Sequence, residues 1–298
     1  MTKRFLTVLS ALATSLVLAA CGGGGGDTSA GTTEAAADPS AAATNAEGGA
    51  AFGDDGVLQV GTDATIGLPW TSLAEGQSEI EGLDPDIATA VAEELGMEVE
   101  FVNVGFDTLI PGLESQRIDM IASAMLDTEV RREQVDFVDY LVTGSGMLVR
   151  AEGAPDVNVL ADLCGLPVAV LRGSAEEAAA QETNEGDCSD DPIDVQVFPS
   201  FANATTALQS GRVEVALGDP AQWAYLANAQ PDVFKAVGEV FNAGKVGLGV
   251  RKDSGAAQSI RDALQAVIDS GRYEEILSEY GLNDNGVEEA TINDGTSE

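Results

Sequence analysis

The chain has 298 residues, with 50 Asp and Glu against 14 Lys and Arg, a formal net charge of −36, and no histidine. That sign argues against nucleic acid as a partner and against electrostatic docking to anionic lipid. Without histidine, imidazole acid-base or nucleophilic catalysis is excluded, as are zinc sites built on histidine.

Residues 1–20, MTKRFLTVLSALATSLVLAA, open with Lys3 and Arg4 and continue in the apolar run Phe5 to Leu18. The run is shorter than the roughly 20 residues of a bilayer span and reads as an export signal. It closes in LAAC, the pattern of a lipoprotein signal in which Cys21 receives a diacylglyceride and becomes the N-terminus. The expected location is the extracytoplasmic face of the cell membrane, held by acyl chains alone. Residues 21–56, rich in Gly, Ala, Ser and Thr, have almost no large apolar side chain to offset ordering entropy and read as a flexible tether.

From Val57 the chain alternates apolar runs with amphipathic stretches, the pattern of an α/β fold with mostly parallel strands. VLQVGTD is a strand, and GLDPDIATAVAEELG a helix with Asp84 as N-cap, Pro85 at its first position and Gly96 at its end. MEVEFVNV is the next strand, FDTLIPGLESQRI a short helix, and DMIASAM a buried strand delivering Ser123 into a loop. A similar unit follows SGMLVRAEG, with strands in LPVAVLRGS, IDVQVFPS and VEVALGD and helices in AEEAAAQETN, FANATTALQSGR and PAQWAYLANA. KVGLGVRKD then leads back to two last helices.

Two successive units with a returning strand predict two lobes. Lobe 1 is expected over 57–150 plus 246–282 and lobe 2 over 151–245, with crossovers near Arg150 to Gly153 and Asn242 to Val246. The polar tail 283–298 is expected to fray. Ligands of such sheets bind beyond the carboxyl ends of strands, which directs attention to the loops after Val60, Val104 and Ile121. Cys164 and Cys188 form an even pair in an oxidising compartment and are expected to be bonded, pinning the NEGDCSDDP loop to the start of lobe 2. A metal pair has no matching ligands grouped nearby.

The runs VGTDAT, GLDPDIATAVAEELG, FDTLIPGLESQRIDMIASAM and TEVRREQVDFVDY resemble family 3 of the extracellular solute-binding proteins, the polar amino-acid receptors of ABC importers. DLCGLPVAVLRGSAEE, ATTALQSGRVEVALGDP and SGRYEEILSEYGL continue the likeness in order across nearly all of the body. It implies a two-lobed, type II periplasmic-binding-protein-like fold that closes on a ligand and docks as a monomer on an ABC permease, with no cofactor and no metal. It also implies roles. Arg131 falls where an arginine grips the ligand α-carboxylate, for which a planar guanidinium suits. Ser123, the backbone at Ala124, and Ser174 at a helix start fall where hydroxyls and amides assist it. Asp219 falls where an acid meets the α-ammonium group. Asp63 and Phe106 match positions touching the ligand side chain, and Trp70 or Ile66 approximates the aromatic wall opposite.

The sequence departs from the family where Leu126 and Ala175 replace hydroxyl residues. Arg172 stands where neutral residues are common; it either receives an acidic ligand side chain or pairs with Asp63, so the ligand's charge stays open. Taken singly, Phe106 reads as core, Asp219 as a helix cap before Pro220, and Arg132 as solvated, because adjacent helical residues do not share a face. Two rival functions use the same scaffold: a dehydratase of cyclic carboxylic acids, which needs an acid or base this cleft has little to supply, and a ligand-sensing partner of a receptor kinase.

Overall fold

A computed structural model of the chain describes residue 52, residues 56–74 and residues 78–295. The expected signal at 1–20, the expected acylation site Cys21 and the expected tether apart from Phe52 and Gly56 lie outside the described residues.

The first half opens with β1 (Val57–Thr62), a small ribbon of β2 (Ser72–Leu73) and β3 (Ile80–Glu81), and α1 (Leu83–Glu94). β4 (Glu98–Asn103), α2 (Leu109–Glu114) and β5 (Met120–Ile121) follow. β1 lies parallel to β4 on one side and β5 on the other, so a helix must return the chain between them. α1 can do so because Leu83, Ile87 and Val91 recur at helical spacing and are buried. Gly82 precedes it at φ 132°, where an L side chain is strained and a Cβ would overlap the Trp70 carbonyl. Asp84 is not the cap that the sequence suggests: the helix starts one residue before it. Its buried carboxylate instead accepts from the Ala124 N–H at 2.8 Å and from the Tyr140 hydroxyl.

The one-turn α3 (Glu129–Arg132) leads into the long strand β6 (Val135–Arg150). The second half runs through β7 (Pro167–Leu171), α4 (Ala175–Glu185), β8 (Asp194–Phe198), α5 (Phe201–Gln209), β9 (Val215–Gly218) and α6 (Pro220–Ala229). β7 is parallel to both β8 and β9. β10 (Phe234–Arg251) returns antiparallel to β6, then α7 (Ala256–Asp269) and α8 (Arg272–Glu279) pack on α1, and β11 (Gly286–Ile292) ends the fold. The strand order is β4-β1-β5-β10-β6-β9-β7-β8, with β11 beside β6. This is the expected α/β architecture, two mostly parallel units flanked by helices.

β6 and β10 traverse both units, and their register slips between Phe241/Gly244, opposite Ser145 and Thr143. Gly146 to Val149 already pair with β9, several residues before the crossover the sequence suggested at Arg150 to Gly153. The tail expected to fray instead forms β11, which pairs Thr291 with Asp139 and Ile292 with Val138. Its polar residues find polar partners on β6, which composition does not reveal. Cys164 and Cys188 are bonded, with Cα atoms 5.1 Å apart, beside the second-half core of Val168, Ile193 and Leu217. A staple of this kind contributes about 3 kcal/mol. Among the described residues no helix is long and apolar enough to cross a membrane, and no group of three or more Cys, Asp and Glu could hold a metal ion.

Candidate functional site

One cleft is lined by Ile66, Phe106, Ala124, Leu126 and Arg131 from the first half and by Ser174, Glu176, Asp219 and Gln222, among others, from the second. The cavity between these walls is small, about 30 Å³.

Arg131 comes from α3, whose cap Thr128 accepts from the Arg131 N–H. Its side chain is buried over the Phe106 ring, 5.6 Å from the centroid, and Nη1 donates to the Leu126 carbonyl at 2.8 Å. Leu126, which lacks the side-chain oxygen the resemblance led us to expect, thus offers its backbone oxygen to the arginine. Nη2 donates across the cleft to the Gly173 carbonyl at 3.1 Å. Burial lowers the guanidinium to about 10, against the opposing charges of Glu176 and Asp127, and leaves it cationic at neutral pH.

Asp219 caps α6, with Pro220 at the first helical position. Its Oδ1 accepts from Ala221 N–H at 2.8 Å and Gln222 N–H at 3.0 Å, and Oδ2 accepts from the Thr143 hydroxyl at 2.5 Å. Burial pushes the carboxyl up to about 6, against these hydrogen bonds. Trp70, fully buried, is not in the lining: its Nε1 donates to Asp219 Oδ1 at 2.8 Å, a bond that ties the two halves, and Ile66 forms the wall. Ser174 lines the cleft and caps α4, its Oγ accepting from the Glu177 N–H at 3.1 Å.

Four expected positions are occupied differently. Ser123 is buried behind the lining, its Oγ accepting from the Asp63 N–H at 3.0 Å. Ala124 lines the cleft at φ 48°, but its N–H is committed to Asp84. Asp63 is buried and accepts from Thr65 through both N–H and hydroxyl, and from the Phe106 N–H at 3.0 Å; it places Phe106 without lining the cleft. Arg172 does not pair with Asp63. Its half-exposed side chain stands 3.7 Å from Asp107.

Two polar lining residues were missed, besides the apolar Leu171 and Phe201. Glu176 is buried, with Oε1 accepting from the Ser145 hydroxyl at 2.6 Å. Gln222 is buried, with Nε2 donating to the Ile66 carbonyl, while Oε1 has no hydrogen-bond partner. Glu176 and Gln222 each sit in the first turn of a helix whose cap the sequence singled out, and that placement was the available signal. Arg132, expected to be solvated, binds buried Asp127 through Nε at 2.6 Å.

The family model described as bacterial extracellular solute-binding proteins, family 3, matches residues 58–283. The arginine-binding protein ArgT of Corynebacterium glutamicum is 28% identical over 250 residues, covering 82% of this chain and 80% of that protein. Two solved structures of an ancestral arginine-binding protein, one bound to arginine and one to glutamine, are each 34% identical and cover 76% of this chain. The arginine-bound form superposes with a TM-score of 0.70 over 98% of its length, and the glutamine-bound form with 0.69 over 97%.

Proposed function

Because the chain belongs to family 3 of the bacterial extracellular solute-binding proteins, we propose that it is a lipid-anchored receptor that closes on a polar amino acid and passes it to an ABC importer permease. Its role is that of an amino-acid solute-binding protein, and the family and its named relatives are binding proteins rather than enzymes.

One observation carries the finer reading: Arg131, a buried cation, and Asp219, a partly buried acid, face one cleft from opposite halves. Arg131 takes the ligand carboxylate by charge-assisted hydrogen bonds, displacing one of its carbonyl partners, and Asp219 takes the ammonium. The remaining polar lining favours donors on the ligand side chain. Glu176 offers a carboxylate and Gln222 an unpartnered carbonyl oxygen, and such a buried orphan is relieved by an N–H. A cationic side chain fits this set, in keeping with relatives named for arginine. Closure pivots where β6 and β10 slip, near Thr143 to Ser145 and Phe241 to Gly244, the second of which overlaps the crossover expected at Asn242 to Val246.

The test is a thermal-shift screen of the twenty amino acids on protein lacking residues 1–21. A true ligand at a hundredfold excess over its dissociation constant stabilises by about 2.7 kcal/mol. L-arginine is expected to give the largest shift, and no shift with any of the twenty overturns the reading. Cys21→Ser is expected to release the protein from the membrane fraction of an expressing cell; retention would contradict the lipid anchor.

A further inference from the structure

We infer that the C-terminal strand is a clasp that sets the position of Arg131, acting through Asp127 and Arg132. The inference rests on the proposed role of Arg131 for its effect on binding, but not for its structural content. The family match ends at residue 283, and β11 with the turn after it lies beyond. Asn293 fixes this segment to the first half: Oδ1 accepts from the Phe137 N–H at 2.8 Å and Nδ2 donates to Asp136 Oδ1 at 3.0 Å. Asp294 N–H donates to Asp139 Oδ2 at 3.1 Å, and its carboxylate accepts from Lys245 Nζ at 2.6 Å. Gly295 N–H then donates to Asp127 Oδ2 at 2.8 Å.

Asp127 is fully buried, and its other oxygen accepts from Arg132. One carboxylate therefore joins the tail to the residue beside Arg131. The Asp127 N–H is held by the Lys245 carbonyl at 2.9 Å, so the loop before α3 is gripped by both the tail and the crossover strand β10. The grip matters because α3 has four residues, and a single turn is not held by its own hydrogen bonds. The guanidinium of Arg131 can be aimed only as well as the two ends of that turn are fixed. Thr128 fixes the first, and the Asp127 to Arg132 pair the second.

Gly295 is the point at which to break the clasp. A Cβ there would overlap both the carbonyl oxygen and the side chain of Asp127, so Gly295→Ala moves the tail off Asp127 without substituting any cleft residue. In the mature chain, Gly295→Ala, Asp127→Asn and the double variant would be compared by hydrogen exchange without ligand and by titration with L-arginine. The Arg132 and Gln134 amides, bonded within this turn, are expected to exchange about tenfold faster in each single variant, with the β7 amides unchanged. L-arginine affinity is expected to fall about threefold to tenfold in each, and the double variant to be no worse than Asp127→Asn alone. Additive losses, or unchanged exchange in Gly295→Ala, would overturn the clasp. If L-arginine fails to bind the parent protein, the amino-acid reading is at fault, and the exchange cycle alone decides the clasp. A Gly295→Ala chain that fails to fold is replaced by Asn293→Ala, judged by the same cycle.

Discussion

The two charged side chains of the cleft are held by unlike means. Asp219 is anchored in its own helix: it caps the ten-residue α6, Pro220 follows it, and two N–H groups of the first turn bind its Oδ1, with Trp70 and Thr143 adding bonds from elsewhere in the chain. The Arg131 guanidinium is bonded outside its own turn, to the carbonyls of nearby Leu126 and remote Gly173, and Asp127 ties that turn to the segment after β11, 168 residues further along the chain. A group held by its own helix tolerates changes elsewhere; one held by remote chain segments inherits their stability. The second wall should therefore behave as a preformed acceptor and the first as an assembled one.

Removing Arg131 tests that contrast most severely. Arg131→Ala is expected to weaken L-arginine binding by at least about 3 kcal/mol, over a hundredfold, since each charge-assisted hydrogen bond contributes about 1.5–3 kcal/mol. Calorimetric titration measures it. Asp219→Asn should cost about 1.5–3 kcal/mol of affinity with little loss of fold, because an amide oxygen can still accept from Trp70 and the helix. An unfolded Asp219→Asn would deny that the second wall is locally built. Arg132→Ala reverses the balance: unfolding stability should drop by about 1–3 kcal/mol through the orphaned Asp127, with only a few-fold loss of affinity. Equal affinity losses from Arg131→Ala and Arg132→Ala would erase the distinction between the two arginines. Glu176→Gln should have a smaller effect, about 1 kcal/mol against L-arginine and none against L-glutamine.

The pH dependence separates fold from binding. Burial raises Asp84 to about 7 and Asp219 to about 6 from an ordinary 3.8. A carboxyl whose folded pKa is raised contributes stability that is complete below pH 3.8 and lost as pH rises through the folded value. Between pH 4 and 7 these two groups favour the folded state more as acid is added. Ligand affinity runs the other way, because only ionised Asp219 attracts an ammonium, and it should decline below about pH 6. Urea unfolding of Asp84→Asn is expected to show a shallower slope over this window than the parent; an identical slope would remove Asp84 from the account.

The same contrast explains what the sequence disclosed. The caps at Ser174 and Asp219, the parallel units and the cysteine pair all rest on short-range pattern, and the structure contains each of them. Asp84 misleads because a residue before proline at a helix start looks like a cap, whereas its carboxylate serves Ala124 and Tyr140, 40 and 56 residues away. Trp70 looks like a wall and is a hydrogen-bond donor to Asp219 instead. β11 carries little apolar signal because its neighbours on β6 include the buried carboxylates Asp136 and Asp139, and only their positions make a polar tail into a strand.

The central claim is that a zwitterion is read across the cleft, carboxylate by Arg131 and ammonium by Asp219. Its most direct test is calorimetric titration of the protein with L-arginine, its methyl ester and its Nα-acetyl derivative, which remove one ligand charge at a time. The account predicts that each blocked form binds at least about a hundredfold more weakly than L-arginine. Either blocked form binding as tightly as L-arginine would contradict it.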